Sequence, residues 1–398
     1  MRRTALVLAF TAAAATALVA CSSAKKSGFE DPNADPGNGT TSGGVLGGGD
    51  SGTGKPCAPG AGNWDIPGNG CDDDGDGTVD NPPTCDDGLS ESGSAEDFAK
   101  SMGICATADK DGYGLVSAKF TNVDGAQHGV LSKFGDVLKP REGKKLGVLS
   151  TGYAQEYNGA AGRRFGNNSL ADATNPNPPD SSKDWGARGS LPSGFPKAAV
   201  GCDQATEVYD VVKVSLTLKA PKNASGVMFD LNFFSSEWPA YICSRFNDGF
   251  IAYLTAKGFN NGKGDNMSFD AMKNPVSVNN GFFDRCTANV DTGCAPMAKP
   301  ATSQCPGGTA ELKGTGYGTD GKWCELYSLG GGTGGTKTSA AGGATGWLTS
   351  SAPVLPGEEF TLDFLIWDTG DGALDSSVLL DNFKWAEGEV TVVTDRPR

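Results

Sequence analysis

Apolar and polar residues alternate in several stretches of the chain. Val212, Val214, Leu216 and Leu218 form one such row, and Val227, Phe229, Leu231 and Phe233 a second. Phe360, Leu362, Phe364 and Ile366 form a third, ahead of Val378 and Leu380. A period of two puts one side of a strand into a core and leaves the other free. Val116, Ala118 and Phe120 alternate in the same way, and Leu146 to Ser150 is a short apolar run beside a glycine turn. Clusters of Gly, Asn, Asp and Pro separate these runs. Phe98 to Cys105 reads as one short helix, and no long segment has a helical period. The pattern predicts a mainly β domain over residues 98–398, a β-sandwich or jelly roll with long loops.

Upstream the pattern disappears. Ser22 to Gly62 is rich in Gly, Ser, Thr, Asn and Pro with almost no large apolar residue. Such a stretch buries too little to offset the entropy of ordering, so residues 21–62 are expected to be a disordered, flexible tether. Residues 1–20 have a different character. Arg2 and Arg3 precede an apolar run from Ala5 to Ala17, too short to span a bilayer, followed by Leu18, Val19, Ala20 and Cys21. This is the layout of a secretory signal peptide. Leu-Val-Ala-Cys resembles the lipobox of bacterial lipoproteins, which implies cleavage before Cys21 and lipid on that cysteine. Several acyl chains hold firmly, at about 0.8 kcal/mol per buried methylene. Ser22 in place of Asp points, by the sorting rule of many such lipoproteins, to the outer membrane or cell surface.

Export changes how the 11 cysteines are read. With Cys21 lipidated, ten remain in an oxidising compartment: Cys57, Cys71, Cys85, Cys105, Cys202, Cys243, Cys286, Cys294, Cys305 and Cys324. All are disulfide candidates, with connectivity open. No Cys-x-x-Cys is present, so neither a zinc ribbon nor a thioredoxin-like site is supported. The last four fall in a polar, Gly-rich insertion at 284–346, where a loop so long needs staples or a role of its own. The formal charge of −14 argues against nucleic acid as a partner and suits the binding of cations.

The densest acidic stretch is Asp72-Asp73-Asp74-Gly75-Asp76-Gly77-Thr78-Val79-Asp80, within a small module at 63–97. Side chains of Asp72, Asp74, Asp76 and Asp80, with the carbonyl of Thr78, occupy positions one, three, five, nine and seven of a Ca²⁺ loop, and Gly77 stands at the turn. Pro83 stands where an EF-hand has its closing Glu. The stretch resembles the Asp-rich metal-binding motif of bacterial surface proteins and the thrombospondin type 3 repeat. In those motifs further carboxylates close the site, a part that Asp86 or Asp87 could take. Cys71 and Cys85 bracket the loop and could clamp it. Extracellular loops of this kind bind Ca²⁺ at about 10⁻⁴ to 10⁻³ M.

A second resemblance covers the β region. Phe229 to Phe250 contains an aromatic strand, Ser236-Glu237-Trp238-Pro239 and Phe246-Asn247-Asp248. It resembles the core motif of the choice-of-anchor L domain, a bacterial surface module. Leu149-Ser150-Thr151-Gly152 and Asp375-Ser376-Ser377-Val378 resemble its early and closing motifs, so the likeness runs from about Tyr113 to Trp385. Ala240 stands where the family often has Glu. Glu237, Asp248, Asp368, Asp371, Asp375 and Asp381 have two readings: a further calcium site at the sandwich edge, or solvated turn residues. Trp238, Tyr241 and Trp367 likewise suit a sugar-stacking face or core packing.

Other motifs carry no chemistry. Gly49-Asp50-Ser51-Gly52 looks like a protease nucleophile loop but sits in the tether, and the only histidine, His128, has no fitting context. Gly316 to Lys322 has phosphate-loop spacing, yet Trp323 replaces the required Ser or Thr. No catalytic constellation stands out. The sequence points to a non-catalytic, calcium-stabilised surface lipoprotein for adhesion or recognition, held to a membrane by lipid, with surface glycans or other surface proteins as partners. The alternative is a carbohydrate-binding module or carbohydrate-active hydrolase, since a carboxylate pair could be drawn from many acids.

Overall fold

Two antiparallel sheets face each other in the computed structural model. It describes residues 57–397 except 82–83, 122, 124, 155–188, 239–240, 280, 283–290, 293–300, 303–307, 318–341 and 373. Cys21, most of the tether, Pro83, Cys286, Cys294, Cys305 and Cys324 lie outside the described residues.

In chain order the elements are α1 (Ala95–Ser101), β1 (Gly114–Thr121), β2 (His128–Leu131), β3 (Leu146–Ser150), β4 (Val208–Lys219), β5 (Gly226–Ser235), β6 (Gly249–Thr255), β7 (Asp265–Asn266) and β8 (Val276–Ser277). There follow β9 (Asp291–Thr292), β10 (Ala301–Thr302), β11 (Gly343–Ala344), β12 (Leu348–Pro353), β13 (Glu359–Thr369), β14 (Ser376–Ala386) and β15 (Val393–Asp395). One sheet has the order β1-β4-β13-β6-β7, with β8 also on β6; the other runs β15-β12-β5-β14-β3-β2, with β11 on β5. β9 and β10 pair only with each other.

The alternating rows explain the packing. Val212, Val214, Leu216 and Leu218 of β4 and Phe360, Leu362, Phe364 and Ile366 of β13 are buried on one side of the core. Val227, Phe229, Leu231 and Phe233 of β5 and Val378 and Leu380 of β14 are buried on the other. The rings of Phe229 and Phe364 meet between the sheets, 5.0 Å apart and near perpendicular at 86°. Removing either ring would cost about 3–5 kcal/mol.

The second sheet is buried on its outer face as well. Phe134, Leu138, Leu312 and Tyr317 cover Leu146, Val148, Phe234 and Leu379. The Tyr317 hydroxyl donates to Ser377 Oγ at 2.8 Å. Part of the 284–346 insertion, through Leu312 and Tyr317, is therefore a cover for the sheet.

Helix α1 begins three residues before the expected Phe98. Ser94 and Asp97 form a reciprocal capping box, each accepting from the other's backbone N–H at 3.2 Å. It ends at Met102, before Gly103 in the left-handed region. Phe98 lies over β3, where a Cβ on Gly147 would come within 2.6 Å of its ring; only glycine lets the helix sit so close.

Residues 56–398 form one compact unit. The boundary expected at 97/98 is therefore not a structural one, because Trp64 and Leu89 pack on the same core as the strands. Among the described residues three disulfides join Cys57 to Cys71, Cys85 to Cys105 and Cys202 to Cys243. Cys71 and Cys85 thus clamp the acidic loop through separate partners and not to each other. Closing chain separations of 14 and 20 residues is worth about 3 kcal/mol each in chain entropy. Among the described residues no helix is long and apolar enough to cross a membrane.

Candidate functional site

Two groups of carboxylates stand out. The first is the Asp-rich loop, where Asp65, Asp72 and Asp74 each place one oxygen within 4.8 Å of the others. Asp65 is buried and holds the loop's shape, accepting from Asp73 N at 2.7 Å, Asp74 N at 3.2 Å and Asn81 N at 3.3 Å. Asp72 accepts from Gly75, Asp76 and Gly77 N–H at 2.8 to 3.1 Å. Gly77, at φ 95°, supplies the left-handed turn that wraps the backbone round this carboxylate. Burial raises the Asp74 carboxyl above its ordinary range, and the charges of Asp65, Asp76 and Asp72 push the same way. A cation would relieve that repulsion.

The other predicted ligands are placed differently. Asp76 bonds Thr78 N at 2.7 Å and Asn81 Nδ2 at 2.9 Å, and these donors lower its carboxyl below the usual range. Asp80 turns back to cap Gly68, Asn69 and Gly70 N–H at 2.9 to 3.2 Å. Neither belongs to the converging trio. Asp86 accepts from the backbone N–H groups of Lys144 and Lys145, and Asp87 pairs with Lys144 Nζ at 2.8 Å. These two tie the module to the loop before β3 instead of closing the acidic loop. Asp65 was not legible as a ligand, for it stands alone between Trp64 and Ile66, outside the spacing of the motif.

The module is fastened to the sandwich. Asn223 accepts from Trp64 N at 3.0 Å and donates to Trp64 O at 2.9 Å, while Lys222 N donates to Gly62 O at 2.9 Å. Beside the trio is a cleft of about 360 Å³ between module and sandwich, bordered by Trp64, Asp74, Tyr113, Glu142 and Trp385. Burial pushes the Tyr113 hydroxyl up to about 12, assisted by the charges of Asp74 and Asp111.

The second group is enclosed at one end of the sandwich. Asp210 and Asp368 continue the core-facing rows of β4 and β13, where the next residues along are Val212 and Ile366. The pairing slips there, so that Tyr209 faces Asp368 after Val212 faces Ile366. Such a bulge re-aims side chains, and Asp210 adopts φ 52° within it. Glu237 follows β5, Asp248 precedes β6 and Asp375 precedes β14. All five are at most 1 % exposed. Asp248 is the best satisfied, accepting from Thr369 N at 3.1 Å and Ser376 Oγ at 2.7 Å. Its own N–H donates to Glu237 Oε2 at 3.3 Å. No oxygen of Asp368 or Asp375 meets a donor in good hydrogen-bond geometry, though Thr151 and Asp248 come near Asp368.

Burial dominates the electrostatics of this group. It raises Asp248 to about 7 against the pull of Ser376 and Thr369. It holds Glu237, Asp368 and Asp375 well above the ordinary carboxylate range, with neighbouring aspartates adding to the shift. Among the described residues no lysine or arginine is a cause of these shifts. Asp371 is exposed at the rim, and its charge reaches Glu237 and Asp248. Asp381 lies elsewhere, accepting from Arg141 N at 2.5 Å and Asn382 N at 2.6 Å. Arg141 also pairs with Asp230 at 2.8 Å. The solvated-turn reading therefore fails for Glu237, Asp248, Asp368, Asp375 and Asp381, all buried, whereas Asp371 is exposed. Asp210 was missed, although its place in the Val212–Leu218 row was visible.

The aromatic residues follow the core-packing alternative. Trp238 and Trp367 are at most 2 % exposed, and Trp367 Nε1 donates to Thr369 Oγ1 at 3.0 Å. Tyr241 is half-buried, edge-on to Phe246.

Both stretches with the closing and core motifs thus converge on the enclosed acids. The sequence profile of the choice-of-anchor L domain matches residues 145–384, the greater part of the chain. The chain belongs to the choice-of-anchor L family. The choice-of-anchor L match covers β3 to β14 and every enclosed acid, and marks an exported, surface-associated protein. It leaves out the Asp-rich module, which this choice-of-anchor L protein has in addition. Neither a curated protein nor a solved structure matches the chain.

Proposed function

We propose that this protein is a non-catalytic recognition or adhesion module, lipid-anchored at Cys21 and stiffened by Ca²⁺ in its N-terminal loop. The observation that carries the reading is the convergence of Asp65, Asp72 and Asp74 in a module closed by two disulfides and bonded to the sandwich. Oxygen-only donors of this kind suit a hard cation. Calcium there would fix the module against the domain it precedes, at the point where the tether meets the folded part. The anchor rests on the lipobox-like Leu18-Val19-Ala20-Cys21.

The lone histidine supports the non-catalytic side. His128 Nε2 bonds Gly93 O at 3.1 Å and its ring lies 4.2 Å from that of Phe120, a packing role. A second reading, calcium-dependent glycan binding, is favoured by the cleft where Trp64, Tyr113 and Trp385 adjoin Asp74.

Thermal melting with and without calcium tests the proposal. For a site of about 10⁻⁴ M, Ca²⁺ at a hundred times that value stabilises by about 2.7 kcal/mol. The Asp72→Asn/Asp74→Asn variant should lose that part of the response. Equal calcium responses in wild type and variant would count against the loop. Glycan arrays probed with and without a chelator separate the two recognition readings.

A further inference from the structure

We propose that the acids enclosed between the two sheets, centred on Asp368 and Asp375, form a second cation site, filled by a calcium-type divalent ion that joins the sheet ends. This goes beyond the N-terminal loop and does not depend on it.

The enclosed acids carry an unmet demand for positive charge. An ionised carboxylate taken out of water without a partner is among the costliest groups a fold can bury, and buried charges are paired or coordinate metals. Asp368 and Asp375 are fully buried, and none of their four oxygens meets a donor in good hydrogen-bond geometry; Thr151 and Asp248 come near Asp368 without satisfying it. Asp248, Glu237 and Asp210 lie around them, and among the described residues no basic side chain is a cause of the shifts at Glu237, Asp368 or Asp375.

The architecture points the same way. Asp210 and Asp368 come from one sheet, and Asp375 leads into the other. Thr151, at the end of β3, meets Ser376 through a pair of bonds, accepting from its N–H at 2.9 Å and donating its own N–H to its carbonyl at 3.0 Å. The backbone also makes way for a carboxylate. The Cα of Gly152 faces Asp375 so closely that a Cβ would lie 1.9 Å from Oδ2. The described donors are carboxylates and hydroxyls, an oxygen set that selects Ca²⁺ over zinc or copper. The ion supplies two positive charges; Asp248, with its own donors, is the acid best able to stay charged beside it.

The competing occupant is the proton: the same acids held neutral as carboxylic acids. The two differ in what the intact protein contains. The test uses the mature chain carrying Asp72→Asn/Asp74→Asn, so that the first site is silent. After equilibration with calcium and removal of free ion, metal is counted by plasma mass spectrometry. Terbium is added in a parallel sample and its emission read with excitation of Trp238 and Trp367, neighbours of Glu237 and Asp368 in the chain. The expected result is one calcium per chain, sensitised terbium emission, and a melting temperature that falls on adding chelator. Adding Asp368→Asn/Asp375→Asn should abolish all three. A loop-silenced chain with no calcium, no sensitised emission and a melt indifferent to chelator would overturn the proposal, as would retention of zinc in preference to calcium. If the four-fold variant does not fold, the count and melt of the loop-silenced chain decide alone. Wild type against loop-silenced chain reads the first site, and the loop-silenced chain by itself reads the second, so the two failures are distinguishable.

Discussion

Replacing Gly152 by alanine perturbs the enclosed acids without touching their charge. The new Cβ would lie 1.9 Å from Asp375 Oδ2 and 2.4 Å from Cγ, where carbon contacts settle near 3.5–4.0 Å. The carboxylate must retreat by about 1.5 Å or more to reach that separation. It has little freedom to do so. The Asp375 carbonyl accepts from Ser236 N at 3.3 Å, and the next residue, Ser376, pairs with Ser235 in β14. Gly152 is held in turn by Ser150 Oγ, which accepts from its N–H at 3.1 Å. Overpacking of this kind costs about 1–3 kcal/mol. Stiffening of the unfolded chain offsets about 0.4–1 kcal/mol of that. Gly125→Ala, where a Cβ meets nothing within 4 Å, serves as the control for the unfolded-state part. Urea unfolding followed by tryptophan fluorescence reads both, because Trp238 and Trp367 are buried beside the acids. Gly152→Ala should lower the urea midpoint and the calcium content of the loop-silenced chain, and Gly125→Ala should leave both unchanged or slightly raised. Coincident curves and equal metal content for the two variants would refute the reasoning.

The remaining predictions concern the joints of the molecule. Asn223→Ala removes both bonds to the Trp64 backbone and should cost about 1–3 kcal/mol through the unsatisfied groups left behind. Limited proteolysis should then cut between residues 57 and 90 sooner than in wild type; an unchanged pattern would mean that the module is held by its other contacts. Asp381 is raised by burial from 3.8 to about 7 in the folded chain. Its contribution to stability is therefore full below the unfolded value and is lost as pH rises through about 7, about 4 kcal/mol over that window. Asp381→Asn should flatten the dependence of urea midpoint on pH across the same range, and parallel profiles would contradict the assignment. Phe364→Ala opens the space between the sheets and should cost about 3–5 kcal/mol with no change in calcium content; loss of metal along with stability would show that the core and the acids are not separable.

The sheets were legible because their signal is local. Four alternating apolar residues in β4, β5 and β13 fix which face is buried, whatever the partner strand is. The β4 row carried an unused message: Asp210 sits where the alternation calls for another apolar residue, as Asp368 does in β13. A polar residue at a core position is the mark of a site, and extending the β4 row by one step would have added Asp210 to the acids already named. What local pattern cannot reveal is which distant segments meet. Asp65 reaches Asp72 only because Asp73, Asp74 and Asn81 fold their N–H groups onto it. Cys71 pairs with Cys57, although Cys85 lies at the same separation on the other side of the loop. Asp86 was drawn to Lys144 and Lys145 by the docking of the module, which spacing along the chain does not encode. The outer face of β14 broke its alternation, with Val378, Leu379 and Leu380 all buried, because Tyr317 and Phe134 return from far along the chain to cover it.

On both proposals, cations on oxygen-only sites hold this exported domain together. A crystal of the full mature chain grown in millimolar calcium, with anomalous data collected at a wavelength that makes calcium visible, tests it most directly. One peak is expected among Asp65, Asp72 and Asp74 and another between Asp368 and Asp375, each with oxygen neighbours at about 2.3–2.6 Å. Water or empty density at both places, in protein that never met a chelator, would contradict it.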